Sequence, residues 1–143
     1  MNNYEIAAES FSKLTTNFGM QPDPSYSESD TRAKIIDQIL TIVLGWPERG
    51  DVIRREEHVH EGFIDYRLRA GNQGFLLEAK RAGNNFELPM RTSFGDKLSV
   101  KNLLHKQKDL QLMYEQVSTY AHESGVQFCV LCNGTQCPLC QYK

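Results

Sequence analysis

The stretch GFIDYRLRAGNQGFLLEAK, residues 62–80, leaves the chain little freedom: two runs of alternating residues flank Gly71 and Asn72, a pair suited to a two-residue turn. A type II′ turn needs positive φ at its first loop position, which glycine adopts readily. The reading is therefore a hairpin whose register sets Asp65 opposite Glu78. Alternation puts Ile64, Tyr66 and Leu68 on one face of the first strand and Phe63, Asp65, Arg67 and Arg69 on the other. In the second strand it groups Phe75, Leu77 and Ala79 apart from Leu76, Glu78 and Lys80. Directly opposed carboxylates have β-carbons about 4.5–5.5 Å apart and repel. Something positive is expected between them.

A hard divalent cation such as Mg²⁺ meets that need, because it prefers carboxylate oxygens and keeps waters for reaction. Lys80 shares the face of Glu78. Two carboxylates and a lysine around a metal suit phosphodiester hydrolysis, in which the metal polarises the phosphate and acidifies a water while the lysine orients the nucleophile or offsets charge. The same residues also describe a plainer object, the solvent face of an amphipathic hairpin with a cross-strand ion pair.

With 143 residues, the chain reads as one domain, 1–143. Residues 1–26 form an N-terminal helix and linker, with Ile6, Phe11, Leu14 and Phe18 at helical spacing and Gly19 as a stop. A second helix carries Ile35, Ile36, Ile39, Leu40, Val43 and Leu44 on one face, capped by Ser27 or Ser29 and ended by Gly45. DVIRREEHV is a strand, and residues 81–98 are an inserted surface segment without a clean period. Residues 99–124 are helical again, closed by Gly125. VQFCVLC is a central strand, followed by an edge strand. This order predicts an α/β fold on a mixed central sheet flanked by helices.

Net charge is −2, which argues against a free-standing, tight nucleic-acid binder. Five acids and one lysine fall in residues 1–30, however, leaving the remainder slightly basic. No apolar run suits a membrane span or a signal peptide, so a cytoplasmic protein without a membrane partner is expected. The four cysteines all lie in CVLCNGTQCPLC. Their spacing is too short for a zinc ribbon. A hairpin centred on Gly134 and Thr135 faces Cys132 with Cys137 and Cys129 with Cys140, the two pairs on opposite sheet faces. Zinc is thus disfavoured; buried thiols are expected in a reducing compartment, with occasional oxidation to cross-strand disulfides outside the cell. His58 and His60 read as surface or DNA-side residues. Lys97, Lys101, His105, Lys106 and Lys108 form a basic run, a solvated face by default and a phosphate-contact surface in the sharper reading.

Taken in order, ESDTRAKIIDQILTIVLGW, FID, LLEAK, QVSTY and QFCVLCNGTQ resemble the PD-(D/E)xK nuclease superfamily. The similarity is greatest to the N-terminal nuclease domain of type I restriction enzyme motor subunits, and it covers residues 28–136. The resemblance implies a restriction-endonuclease-like fold, with Asp65 and Glu78 as metal ligands and Lys80 as the catalytic lysine. It further implies a ligand from the Ala79 carbonyl, a metal-proximal role for Glu28, and a QxxxY motif, Gln116 and Tyr120, beside the nuclease centre. The long gap between Lys80 and Gln116 resembles a variant group with an insertion after the ExK strand, whereas CPLC departs from the aromatic-rich strand of many relatives. The function implied is a Mg²⁺-dependent DNA endonuclease of restriction or phage-defence type, with Mn²⁺ as a substitute ion. Its partners would be DNA, an ATP-driven translocase or helicase, and other restriction-system subunits. The alternatives are an inactive nucleic-acid-binding or assembly module of the same fold, and a small module structured by metal at the cysteines.

Overall fold

Gly71 takes φ +60° and turns β2 (Gly62–Ala70) into β3 (Gln73–Ala79), with Ala70 paired to Gln73 and the ladder running on to Tyr66 and Leu77. The computed structural model describes residues 2–17, 19–60, 62–88, 99–105 and 107–141. β1 (Ile53–Val59) pairs antiparallel with β2, β4 (Phe128–Cys132) pairs parallel with β3, and β5 (Leu139–Gln141) pairs antiparallel with β4. The result is a five-stranded mixed sheet in the order β1-β2-β3-β4-β5 with helices on both faces. Among the described residues, no helix is long and apolar enough to cross a membrane.

α1 (Asn3–Asn17) buries Leu14 but leaves Ile6 and Phe11 exposed, and Phe18 lies outside the described residues. α2 (Glu28–Thr31) begins at Ser27, whose hydroxyl accepts the Asp30 N–H, and continues through Arg32–Ile36 and Ile39–Val43 as a π-helix. Each π turn closes one residue later than an α turn, as in the bond from Leu44 N–H to the Ile39 carbonyl. The apolar stripe therefore drifts around the helix. Ile35, Ile36 and Leu40 reach the core, but Leu44, expected on the same face, is exposed.

The predicted helix over 99–124 is two helices, α3 (Val100–Leu104) and α4 (Lys108–Glu123). Gln107 occupies the break, and its carboxamide bonds both the N–H and the carbonyl of Glu87. The segment after β3 is correspondingly less superficial than its composition suggests. Ala82 and Phe86 are buried, and Gln136 bonds both backbone groups of Phe86. Asn133, fully buried, reaches the Asn84 carbonyl. Residues 89–98 of the inserted segment lie outside the described residues.

Two cores form, one on each sheet face. Leu76, Val117, Tyr120, Ala121 and Cys129 pack on the α4 side, while Ile36, Leu40, Tyr66, Leu68, Leu77 and Cys132 pack on the α2 side. Ile64 corrects the simple alternation, because it joins the α4 side although Tyr66 and Leu68 lie on the other. The cause is local. β1 and β2 pair through Arg55 and Tyr66 and again through Glu57 and Ile64, but not at Glu56 and Asp65 between them. Glu56 takes φ +52°, a left-handed conformation that costs a non-glycine residue about 1–3 kcal/mol. Both strands exchange faces at that point.

Candidate active site

Asp65 stands at the place where β2 inverts. The β2–β3 ladder stops one pair short of Asp65 and Glu78, so the two are not ladder partners as expected. Instead the Asp65 carboxylate reaches along the open end of the sheet and accepts the Ala79 N–H at 2.8 Å. Its other oxygen lies 3.3 Å from Arg32 Nη1. Glu78 is buried, and its carboxylate takes the Lys80 ammonium at 2.8 Å. The positive charge called for by the register is therefore present in the protein itself, divided between Arg32 and Lys80.

The electrostatics tie four groups together. Burial pushes the Glu78 carboxyl above its ordinary value; Lys80 opposes that shift, while Asp65 and Glu28 add to it. Burial works against the Lys80 charge, but Glu78, Glu28 and Asp65 outweigh it and hold the ammonium above the usual lysine value. Glu28, exposed in the first turn of α2, is thus close enough to act on both members of the buried pair. Thr31, one helical turn later, is fully buried and accepts the Ala82 N–H through its hydroxyl, which anchors α2 against the chain leaving β3.

Gln116 and Tyr120 meet each other, with Gln116 Nε2 3.4 Å from the Tyr120 hydroxyl. Tyr120 packs on the α4 side, and its hydroxyl lies against Gly62, where an added β-carbon would come within 2.6 Å. The pair therefore sits at the start of β2, three residues before Asp65. Among the described residues, neither makes a hydrogen bond or ion pair with Glu78 or Lys80. Arg32 was missed by the sequence reading. Its position four residues after Glu28, and so on the same helix face, was the available signal.

Hard oxygen donors suit Mg²⁺, which needs only one or two carboxylates beside its waters. The chemistry of Asp65 and Glu78 fits that demand, with the Ala79 peptide already drawn to Asp65. Among the described residues, no three Asp, Glu, His or Cys side chains gather into a fuller cage. The cysteines face one another as expected, Cys129 with Cys140 on the α4 side and Cys132 on the α2 side. Of the two facing pairs, Cys132 and Cys137 form the cross-strand disulfide, their α-carbons 4.2 Å apart, where thiols were expected in a reducing compartment. A hydrogen bond with Cys129 lowers the Cys140 thiol from its usual value.

Clefts also lie away from the carboxylates. An apolar one of about 490 Å³ runs between Leu40, Leu44, Trp46, Phe75 and Leu139. A polar one of about 590 Å³ is lined by Arg67, Arg69, Asn72, His122 and Gln127. His58 and His60 are exposed, as are Lys101, His105 and Lys108. Lys97 and Lys106 lie outside the described residues. No protein-family model, curated protein or solved structure matches the chain.

Proposed function

We propose that the chain is a Mg²⁺-dependent endodeoxyribonuclease domain with a restriction-endonuclease-like fold, working beside an ATP-driven translocase in a restriction or defence system. One observation carries the reading: Asp65, the Ala79 peptide, Glu78 and Lys80 converge where β2 and β3 part, on the two strands that carry the FID and LLEAK motifs. Bound there, the ion would polarise a phosphate and acidify a water. Asp65 and Glu78 would hold it, and Glu28 adds negative charge at the rim. Lys80, kept protonated by its carboxylate neighbours, acts as a cation that steadies charge on the phosphate. Gln116 and Tyr120 fix the approach to β2 and position the substrate strand. In the polar cleft, Arg69 offers a phosphate contact, while Arg67 beside it is paired with Glu57 at 2.7 Å.

A second reading has its own support. Arg32 and Lys80 already neutralise Asp65 and Glu78, so the cluster is satisfied as it stands and suits an inactive nucleic-acid-binding module. Incubation of the purified chain with plasmid DNA and Mg²⁺ or Mn²⁺ separates the two. Nicking that is lost in Lys80→Ala supports the nuclease; retention of DNA without cleavage under both ions supports the binding module.

A further inference from the structure

We propose that Arg32 is a movable counter-ion shared by Asp65 and Glu56, and that Glu56 receives it when Asp65 takes a cation. The inference rests on the reading of Asp65 as a cation ligand. A single nitrogen, Arg32 Nη1, lies 3.0 Å from Glu56 Oε1 and 3.3 Å from Asp65 Oδ1. A carboxylate paired with a guanidinium is a poor ligand, since the incoming ion meets a like charge a few ångströms away. Arg32 must therefore yield. It is poorly placed to retreat into water, because its side chain is only 17% exposed and lies over the Tyr66 ring, 5.3 Å from the centroid. The same nitrogen already donates to Glu56 at 3.0 Å, so Arg32 can keep that contact while it releases Asp65.

Glu56 is suited to receive it. Its side chain is 68% exposed, so it accepts the guanidinium without a new burial cost. Its backbone, at φ +52°, is the one non-glycine position with positive φ among the described residues. Conformations of this kind persist where the surroundings hold them and cluster at functional sites. The same interruption of the β1–β2 ladder turns Asp65 toward Ala79 and sets Glu56 against Arg32. The distortion thus serves both ends of the exchange.

Titration calorimetry with Mn²⁺ on the metal-free full chain tests the proposal in the wild type, Glu56→Gln, Arg32→Gln and the double variant. With Arg32 confined to Asp65, Glu56→Gln should weaken Mn²⁺ binding about three- to tenfold, within the coupling expected of contacting charges. Arg32→Gln should tighten binding, and adding Glu56→Gln to it should change little. Metal-free thermal melts check folding, and Arg32→Lys replaces Arg32→Gln if the latter fails to fold; its point charge, without the fork, should shrink the Glu56→Gln effect. Equal weakening by Glu56→Gln with and without Arg32, or none in either, overturns the proposal while leaving Asp65 as a ligand. No Mn²⁺ binding by the wild type removes the ligand reading, and this inference falls with it.

Discussion

The Ala79 N–H donates to the Asp65 carboxylate at 2.8 Å, so the side chain proposed to hold a cation also closes the open end of the hairpin. The two duties separate by substitution. Asp65→Ala strips the acceptor from the N–H of a fully buried residue and should cost about 1–3 kcal/mol in a urea titration. Asp65→Asn keeps an acceptor and should retain most of that hydrogen-bond contribution, while losing the Arg32 ion pair as Asp65→Ala does. Both should abolish Mn²⁺ binding and cleavage. Cleavage that survives Asp65→Ala would end the nuclease reading.

Lys80 and Glu78 form an enclosed ion pair, with side chains 15% and 6% exposed. Removal of one partner from such a pair is costly, about 3–5 kcal/mol, because the other charge is left buried. Lys80→Met should approach that loss near pH 8, and pairing it with Glu78→Gln should restore part of it. Strict additivity of the two substitutions would show that the pair is not coupled.

Glu78 should also leave a mark on the pH dependence of the metal-free protein. Its folded value is raised, chiefly by burial, so the folded chain holds this proton more tightly than the unfolded one. The associated stability is complete below the ordinary glutamate value of 4.5 and is lost as pH rises through the higher folded value. Urea midpoints in chelator from about pH 4 to pH 8 should show this decline, and Glu78→Gln should remove that component. An unchanged slope in the variant would place its origin elsewhere.

Gly62 meets the Tyr120 hydroxyl so closely that Gly62→Ala should destabilise by about 1–3 kcal/mol through overpacking. Tyr120→Phe removes the obstructing oxygen and should recover much of the loss when the two are combined. A double variant no more stable than Gly62→Ala alone would assign the cost to the backbone instead of the hydroxyl.

The hairpin register was legible because the Gly71-Asn72 turn sets it and the period-2 pattern agrees. The Cys129–Cys140 register followed in the same way from the turn at Gly134. The inversion at Glu56 and Asp65 was not legible. With helices on both faces, Ile64 and Tyr66 are buried alike, so the apolar pattern runs unbroken through a change of side. The drift of the stripe beyond Leu40 was hidden for a related reason, since spacing reports a helix but not how many residues each turn takes. Arg32 escaped notice because its partners, Asp65 and Glu56, are distant in the sequence and become neighbours only through the kinked strands. The break at Gln107 depends on a carboxamide reaching Glu87, which no local pattern announces.

Asn133, Gln136 and Gln107 hold residues 84–87 through side-chain amides, beside the buried Phe86 ring and a turn bond from Asn84 N–H to the Arg81 carbonyl, with no ladder bond in the sheet given over to that stretch. The segment is in that sense a cassette. A replacement loop that offers backbone groups to the three amides and an apolar side chain in place of Phe86 leaves the strands on either side in register. The ground beside Lys80 can then diversify in length and chemistry while the strand scaffold stays fixed, which is the kind of site at which one fold acquires new targets.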